Sequence, residues 1–158
     1  MSNRPLLDRF VDFSVAVTGY DSFRLHGTGQ VPVYFATLTR VVGDGLAGEL
    51  LQTFERVRTE AAGDATAMER LLRRDIFSDD RLGPIARNVV KLWYVGIWYQ
   101  LPPEWRDAYG VLEEDTTFVP SPSSYAEGLL WPTIDANPSG AKGPGWGTWA
   151  APPRIPEY

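Results

Sequence analysis

The chain has no cysteine, one histidine (His26) and two methionines among its 158 residues. Without thiols there is no disulfide, no thiolate metal site and no cysteine nucleophile, and the redox compartment stays open. A single imidazole cannot build a histidine metal cluster, and it confines any serine–histidine pair to His26. Positive charge is also in short supply. The 15 Lys and Arg against 20 Asp and Glu leave a net charge of -5, which argues against nucleic acid and against an anionic membrane surface, since both need a basic face. No run of about 18 apolar residues occurs, so no membrane-spanning helix is expected. The apolar part of the N-terminal stretch carries Asp8 and Asp12 and no small-residue cleavage site, so no signal peptide is expected and the expected location is the cytoplasm. It would be the periplasm if an export signal has been removed. Alternating strand patterns and internal repeats are missing too.

Aromatic residues are plentiful, at 13% with six Trp. They concentrate in residues 84–99, PIARNVVKLWYVGIWY. Ile85, Val89, Leu92, Trp93 and Gly96 follow a helical stripe, with Tyr94 off it and Trp98 and Tyr99 beyond it. A helix this apolar on every side must be covered on both sides. The spacing predicts further helices over 5–18, 31–42, 44–61 and 65–77, with the glycine-closed stretch 20–30 as a loop. Residues 101–122 hold Pro102, Pro103, Gly110, Pro120 and Pro122 and read as an irregular excursion, with one helical turn over 104–109. Residues 123–136 read as a helix that Pro132 can kink. The expected fold is mostly α: a small helical bundle over 1–136 with long irregular C-terminal segments. Residues 137–158, NPSGAKGPGWGTWAAPPRIPEY, read as an extended Pro/Gly-rich strap.

Candidate chemistry is thin. His26 lies in a glycine-flanked stretch with no obvious partner for general-base work. Asp79 and Asp80 precede a helix, where capping accounts for one of them. Glu113, Glu114 and Asp115 lack the spacing of a calcium loop and read as solvated charge. Gly143, Gly145 and Gly147 follow no strand and open no helix, so a phosphate-binding loop is disfavoured.

The aromatics are therefore the informative class. About half of Trp93, Tyr94, Trp98, Tyr99, Trp105 and Trp131 fit a core; the rest have to face a partner or a ligand. A strap bearing Trp146, Trp149, Ile155 and Tyr158 suits burial against a second protein, because large apolar side chains anchor such interfaces. The expected partner interface is Trp98, Tyr99, Trp146, Trp149, Ile155 and Tyr158. A stand-alone carbohydrate-binding module that uses the same aromatics is the alternative.

Several segments resemble a known family. LGPIARNVVKLWYVGIWY, followed by SSYAEGLLWPTIDANPSGAKGPGWGTWAAPP, is similar to the small subunits of bacterial flavin-dependent sugar and polyol dehydrogenases, among them those of sorbitol and fructose dehydrogenases. The resemblance is strongest over residues 80–153 and weaker over VDFSVAVTGYDSF and YFATL. It implies a non-catalytic accessory subunit, without cofactor or metal of its own. Its partner would be a large subunit of the glucose–methanol–choline oxidoreductase type that carries FAD and the chemistry. Members of that family commonly begin with a twin-arginine export signal. This chain has only Arg4 near its start, so the resemblance here implies a stabilising role in the cytoplasm.

Overall fold

The computed structural model describes residues 4–139 and Ala141. Among the described residues seven α-helices follow one another: α1 (Leu6–Thr18), α2 (Ser22–Gly27), α3 (Val31–Ala61), α4 (Ala65–Leu72), α5 (Leu82–Val95), α6 (Pro103–Tyr109) and α7 (Leu130–Thr133). A π-helical turn, Arg73–Phe77, extends α4. Among the described residues the only β feature is an antiparallel bridge between Trp98 and Phe118. The fold is mostly α, as the helical spacing leads one to expect.

The core lies where α1, α3 and α5 meet, with the π-helical turn closing one end. Phe10 and Phe13 of α1 and Tyr34, Leu38, Leu50 and Phe54 of α3 are fully enclosed, as are Ile85, Val89, Leu92 and Trp93 of α5. Within α1, within each half of α3 and over Ile85, Val89, Leu92 or Trp93 of α5 they recur at three- or four-residue intervals, which puts them on one helix face. The rings meet at angles favoured by their quadrupoles. Tyr34 stands edge-on to Trp93 at 4.9 Å and Phe13 edge-on to Phe54 at 5.4 Å. At the rim, Asp12 accepts from Arg4 and Arg58, both at 2.6 Å, which ties α1 to α3.

Three expectations are corrected, and one division within a helix holds. Residues 22–27 form a helix instead of a loop, because the Asp21 side chain accepts the Arg24 N–H and caps it. The two helices predicted over 31–42 and 44–61 are present as the two halves of α3, which meet at a kink at Gly43, whose φ of 81° and ψ of 159° leave helical geometry. The aromatic helix stops at Val95, because Gly96 adopts the left-handed conformation at φ 71° and its N–H returns to the Leu92 carbonyl. Ile97, Trp98 and Tyr99 therefore run extended, with Trp98 exchanging both backbone hydrogen bonds with Phe118 at 3.0 Å. Lastly, most of 123–136 is turn, with helix only at Leu130–Thr133. Leu129 N–H donates instead to the Trp93 carbonyl of α5 at 2.9 Å, serving a carbonyl that the end of α5 would otherwise leave orphaned. The predicted turn over 104–109 is present as α6. The strap, apart from residues 137–139 and 141, lies outside the described residues.

Candidate functional site

The aromatics divide by burial. Trp93 and Trp98 are fully enclosed and Trp105 nearly so. The expectation that Trp98 faces a partner is thus corrected: its indole is spent inside the chain. Its Nε1–H donates to Asp115 Oδ1 at 2.9 Å, and the same carboxylate accepts the Leu101 N–H at 3.1 and 3.0 Å. Asp115 is only 2% exposed. Far from being solvated charge, it is the internal acceptor that pins the irregular excursion to the chain after α5. Burial of a carboxylate is tolerated because donors converge on it.

Tyr99 alternates to the other side of this extended stretch and is 37% exposed. Its ring carries the Lys91 ammonium at 4.9 Å from the centroid, and its carbonyl accepts the buried Asn88 amide at 2.6 Å. Trp146, Trp149, Ile155 and Tyr158 lie outside the described residues.

One of the exposed apolar side chains, Phe23, lines a cleft of about 480 Å³ between α2 and residues 126–138. Phe23, on α2, is 87% exposed and forms one lip. Trp131 and Pro132 line the opposite wall, with Arg24, Asp135 and Asn137 supplying polar groups. Tyr125, 44% exposed, stands edge-on to Trp131 at 5.4 Å, and its carbonyl accepts the Trp131 indole N–H at 2.9 Å. Ile134, 56% exposed, lies on the same wall segment. Phe23 escapes sequence reasoning because a six-residue helix is too short to display a stripe.

The glycines behind this wall set its position. A Cβ on Gly96 would run into the Ser124 carbonyl oxygen and sit 2.6 Å from its carbon. One on Gly128 would sit 2.7 Å from the Tyr94 carbonyl oxygen. Only hydrogen at these two places lets residues 124–128 lie flat on the end of α5. A polar seam continues the contact. Gln30 Oε1 accepts from the Ser121 and Ser124 hydroxyls at 3.0 and 3.1 Å, and its Nε2 donates to Ser123 Oγ at 2.9 Å. These serines are held by an amide and by one another, and none of these partners is a general base.

Other titratable groups are accounted for locally. His26 is exposed on α2. Asp79 Oδ1 accepts the N–H groups of Arg81 and Leu82 at 2.9 and 2.7 Å, the capping role expected of one of the aspartate pair. Asp75 is held below the usual carboxylate range chiefly by its hydrogen bond from Arg74. Burial pushes the Tyr34 hydroxyl up to about 12, against a smaller lowering from the neighbouring Ser124 side chain. That hydroxyl makes no well-formed hydrogen bond, nor does the Trp93 indole N–H beside it. Among the described residues no group of three or more His, Cys, Asp or Glu side chains converges as a metal site would require.

No family model matches this chain, and neither the curated proteins nor the solved structures contain a significant match to it.

Proposed function

We propose that this chain is a non-catalytic accessory subunit that binds and stabilises the FAD-dependent large subunit of a glucose–methanol–choline-type sugar or glycoside oxidoreductase. The observation that carries the reading is the exposure of Phe23 on the lip of the cleft, with Tyr125 and Ile134 exposed in or next to the segment that forms its other wall. Complete burial of a side chain such as Phe23 is worth about 1.5–3 kcal/mol, so a surface that leaves it in water at the lip of a cleft suits a partner. The resemblance of residues 80–153 to small subunits of flavin-dependent dehydrogenases supplies the class of that partner. In this reading the large subunit carries FAD and the substrate site. The chain contributes contact area through the cleft, Tyr99 and the Trp-bearing strap, and it acts in the cytoplasm.

The test is co-expression with a flavin oxidoreductase encoded beside it. A stable, yellow, stoichiometric complex is expected, with the large subunit poorly soluble when expressed alone. A chain that purifies as a well-behaved monomer and ignores that protein would contradict the reading. The alternative, a stand-alone carbohydrate-binding module, draws on one specific feature: Trp131 shares the cleft with Arg24, Asp135 and Asn137, and sugar sites combine a ring with polar groups. Calorimetric titration of the free chain with a panel of mono- and disaccharides separates the two. The accessory reading expects no heat of binding, and a saturable signal favours the module.

A further inference from the structure

A second cleft, of about 560 Å³, lies on a different part of the surface, between the turn after the π-helix and α6. Its apolar lining includes Phe77, Pro84, Pro102, Trp105 and Tyr109. Trp105 and Tyr109 sit one turn apart on α6 with rings tilted at 52° and centroids 5.3 Å apart. Trp105 is fixed as the floor, because its indole N–H donates to the Arg81 carbonyl at 2.8 Å. Tyr109 rises from it, 43% exposed. Such an aromatic slot between prolines accepts the flat faces of a polyproline II segment, which binds cheaply because it is extended before it docks.

The charge around the slot selects among such segments. Asp80 and Glu104 line the cleft, both exposed and neither in an ion pair among the described residues. Asp79 is already engaged in capping. Among the described residues one cation lines the cleft, Arg87, which donates to the Phe77 carbonyl at 2.6 Å. Asp79, Asp80 and Glu104 against Arg87 leave the lining net negative, and Asp80 and Glu104 stand exposed beside an aromatic surface, the complement of a guanidinium flanked by prolines.

We propose that this cleft binds a proline-rich segment of a partner protein that carries an arginine. The proposal stands independently of the accessory-subunit reading, since it uses a different face and a different chemistry. The two rim carboxylates steer and select, while the Tyr109 ring, propped on the enclosed Trp105, holds the prolines.

The experiment titrates the full-length chain into a fluorescein-labelled synthetic peptide of sequence APPRPPA and reads anisotropy, with APPQPPA as the uncharged control. Saturable binding of the arginine peptide is expected, weakened about fivefold or more in the control and reduced by added salt, since each exposed ion pair is worth up to about 1 kcal/mol. The Asp80→Asn, Glu104→Gln double variant should bind as weakly as the control pairing. Tyr109→Ala should lose about tenfold or more, as truncated aromatic anchors do. All three positions are exposed, so unchanged thermal melts will show that the variants fold. Absence of binding to either peptide overturns the proposal, as does binding that none of these variants weakens. The C-terminal residues include Pro152, Pro153, Arg154 and Pro156, which share this chemistry. If Arg154→Gln in the full chain tightens the labelled peptide severalfold, the occupant is the chain's own terminus and the assignment to a partner protein is overturned.

Discussion

Trp98→Ala separates core from interface more sharply than any other single change. The side chain is fully enclosed, and its indole donates one of the hydrogen bonds that Asp115 receives. Truncating a buried Trp costs about 3–5 kcal/mol through lost transfer energy and the cavity left behind. Asp115 keeps its Leu101 donor, so the orphaning penalty is partial and the total stays near the upper end of that range. At roughly 2–4 °C of midpoint per kcal/mol for a chain of this size, a cost near the upper end lowers the melting temperature by about 10–20 °C. Trp98→Phe keeps most of the apolar area but loses a charge-assisted hydrogen bond, about 1.5–3 kcal/mol. Asp115→Asn retains one acceptor oxygen and should cost only about 1 kcal/mol. Urea unfolding followed by far-ultraviolet circular dichroism gives all three, with an unchanged slope marking a change in stability alone. A cycle pairing Trp98→Phe with Asp115→Ala should show a coupling energy of about 0.5–3 kcal/mol, as residues in direct contact do. A Trp98→Ala chain that melts like the parent yet fails to bind the flavin protein would refute the reasoning, because the indole would then belong to the interface.

Three further outcomes follow from named contacts. Gly96→Ala should cost at least about 2–3 kcal/mol by chemical denaturation, since it adds left-handed strain to a clash with the Ser124 backbone; a melt within 1 °C of the parent would contradict this. The raised Tyr34 hydroxyl makes stability fall at alkaline pH. The unfolded tyrosine ionises near 10 and the folded one near about 12, so its contribution is intact below pH 10 and is lost progressively as the pH rises toward 12. Tyr34→Phe should remove that part of the alkaline slope in a pH series of melts and cost little at pH 7, because the hydroxyl has no well-formed hydrogen bond to lose. Phe23→Ser, Trp146→Ala and Trp149→Ala should each weaken capture of the flavin subunit in a pull-down. Phe23→Ser should leave the melt of the free chain within about 0.5 kcal/mol of the parent, and the two strap variants should leave its helical signal largely unchanged.

The sequence made α1, α4 and the start of α5 legible because their apolar residues repeat at the helical period over two turns or more. It misplaced the end of α5 because Gly96 falls on the stripe, and only the left-handed conformation and the nearby Ser124 backbone reveal it as a stop. Beyond Gly96 the period changes from that of a helix to two, sending Trp98 inward and Tyr99 outward, and three residues are too few to show a change of period. Residues 123–136 carry helical spacing in Tyr125, Leu129, Leu130 and Ile134. The Leu129 N–H nonetheless goes to α5, a tertiary contact that no local pattern encodes. Asp115 was hidden for the same reason: two neighbouring acids advertise solvent, while its partners Trp98 and Leu101 lie 17 and 14 residues away. At the candidate site, Tyr99 was legible as an exposed aromatic. The lip formed by Phe23 was not, since a short capped helix leaves no periodic signature.

The most direct test of the central claim is amide hydrogen exchange of this chain, alone and bound to the co-expressed flavin oxidoreductase. The account predicts new protection over residues 22–28, 126–138 and 142–158 on binding, with little change at the already enclosed Trp98 and Asp115. An exchange pattern that the flavin protein leaves unaltered, or protection confined to other segments, would contradict it.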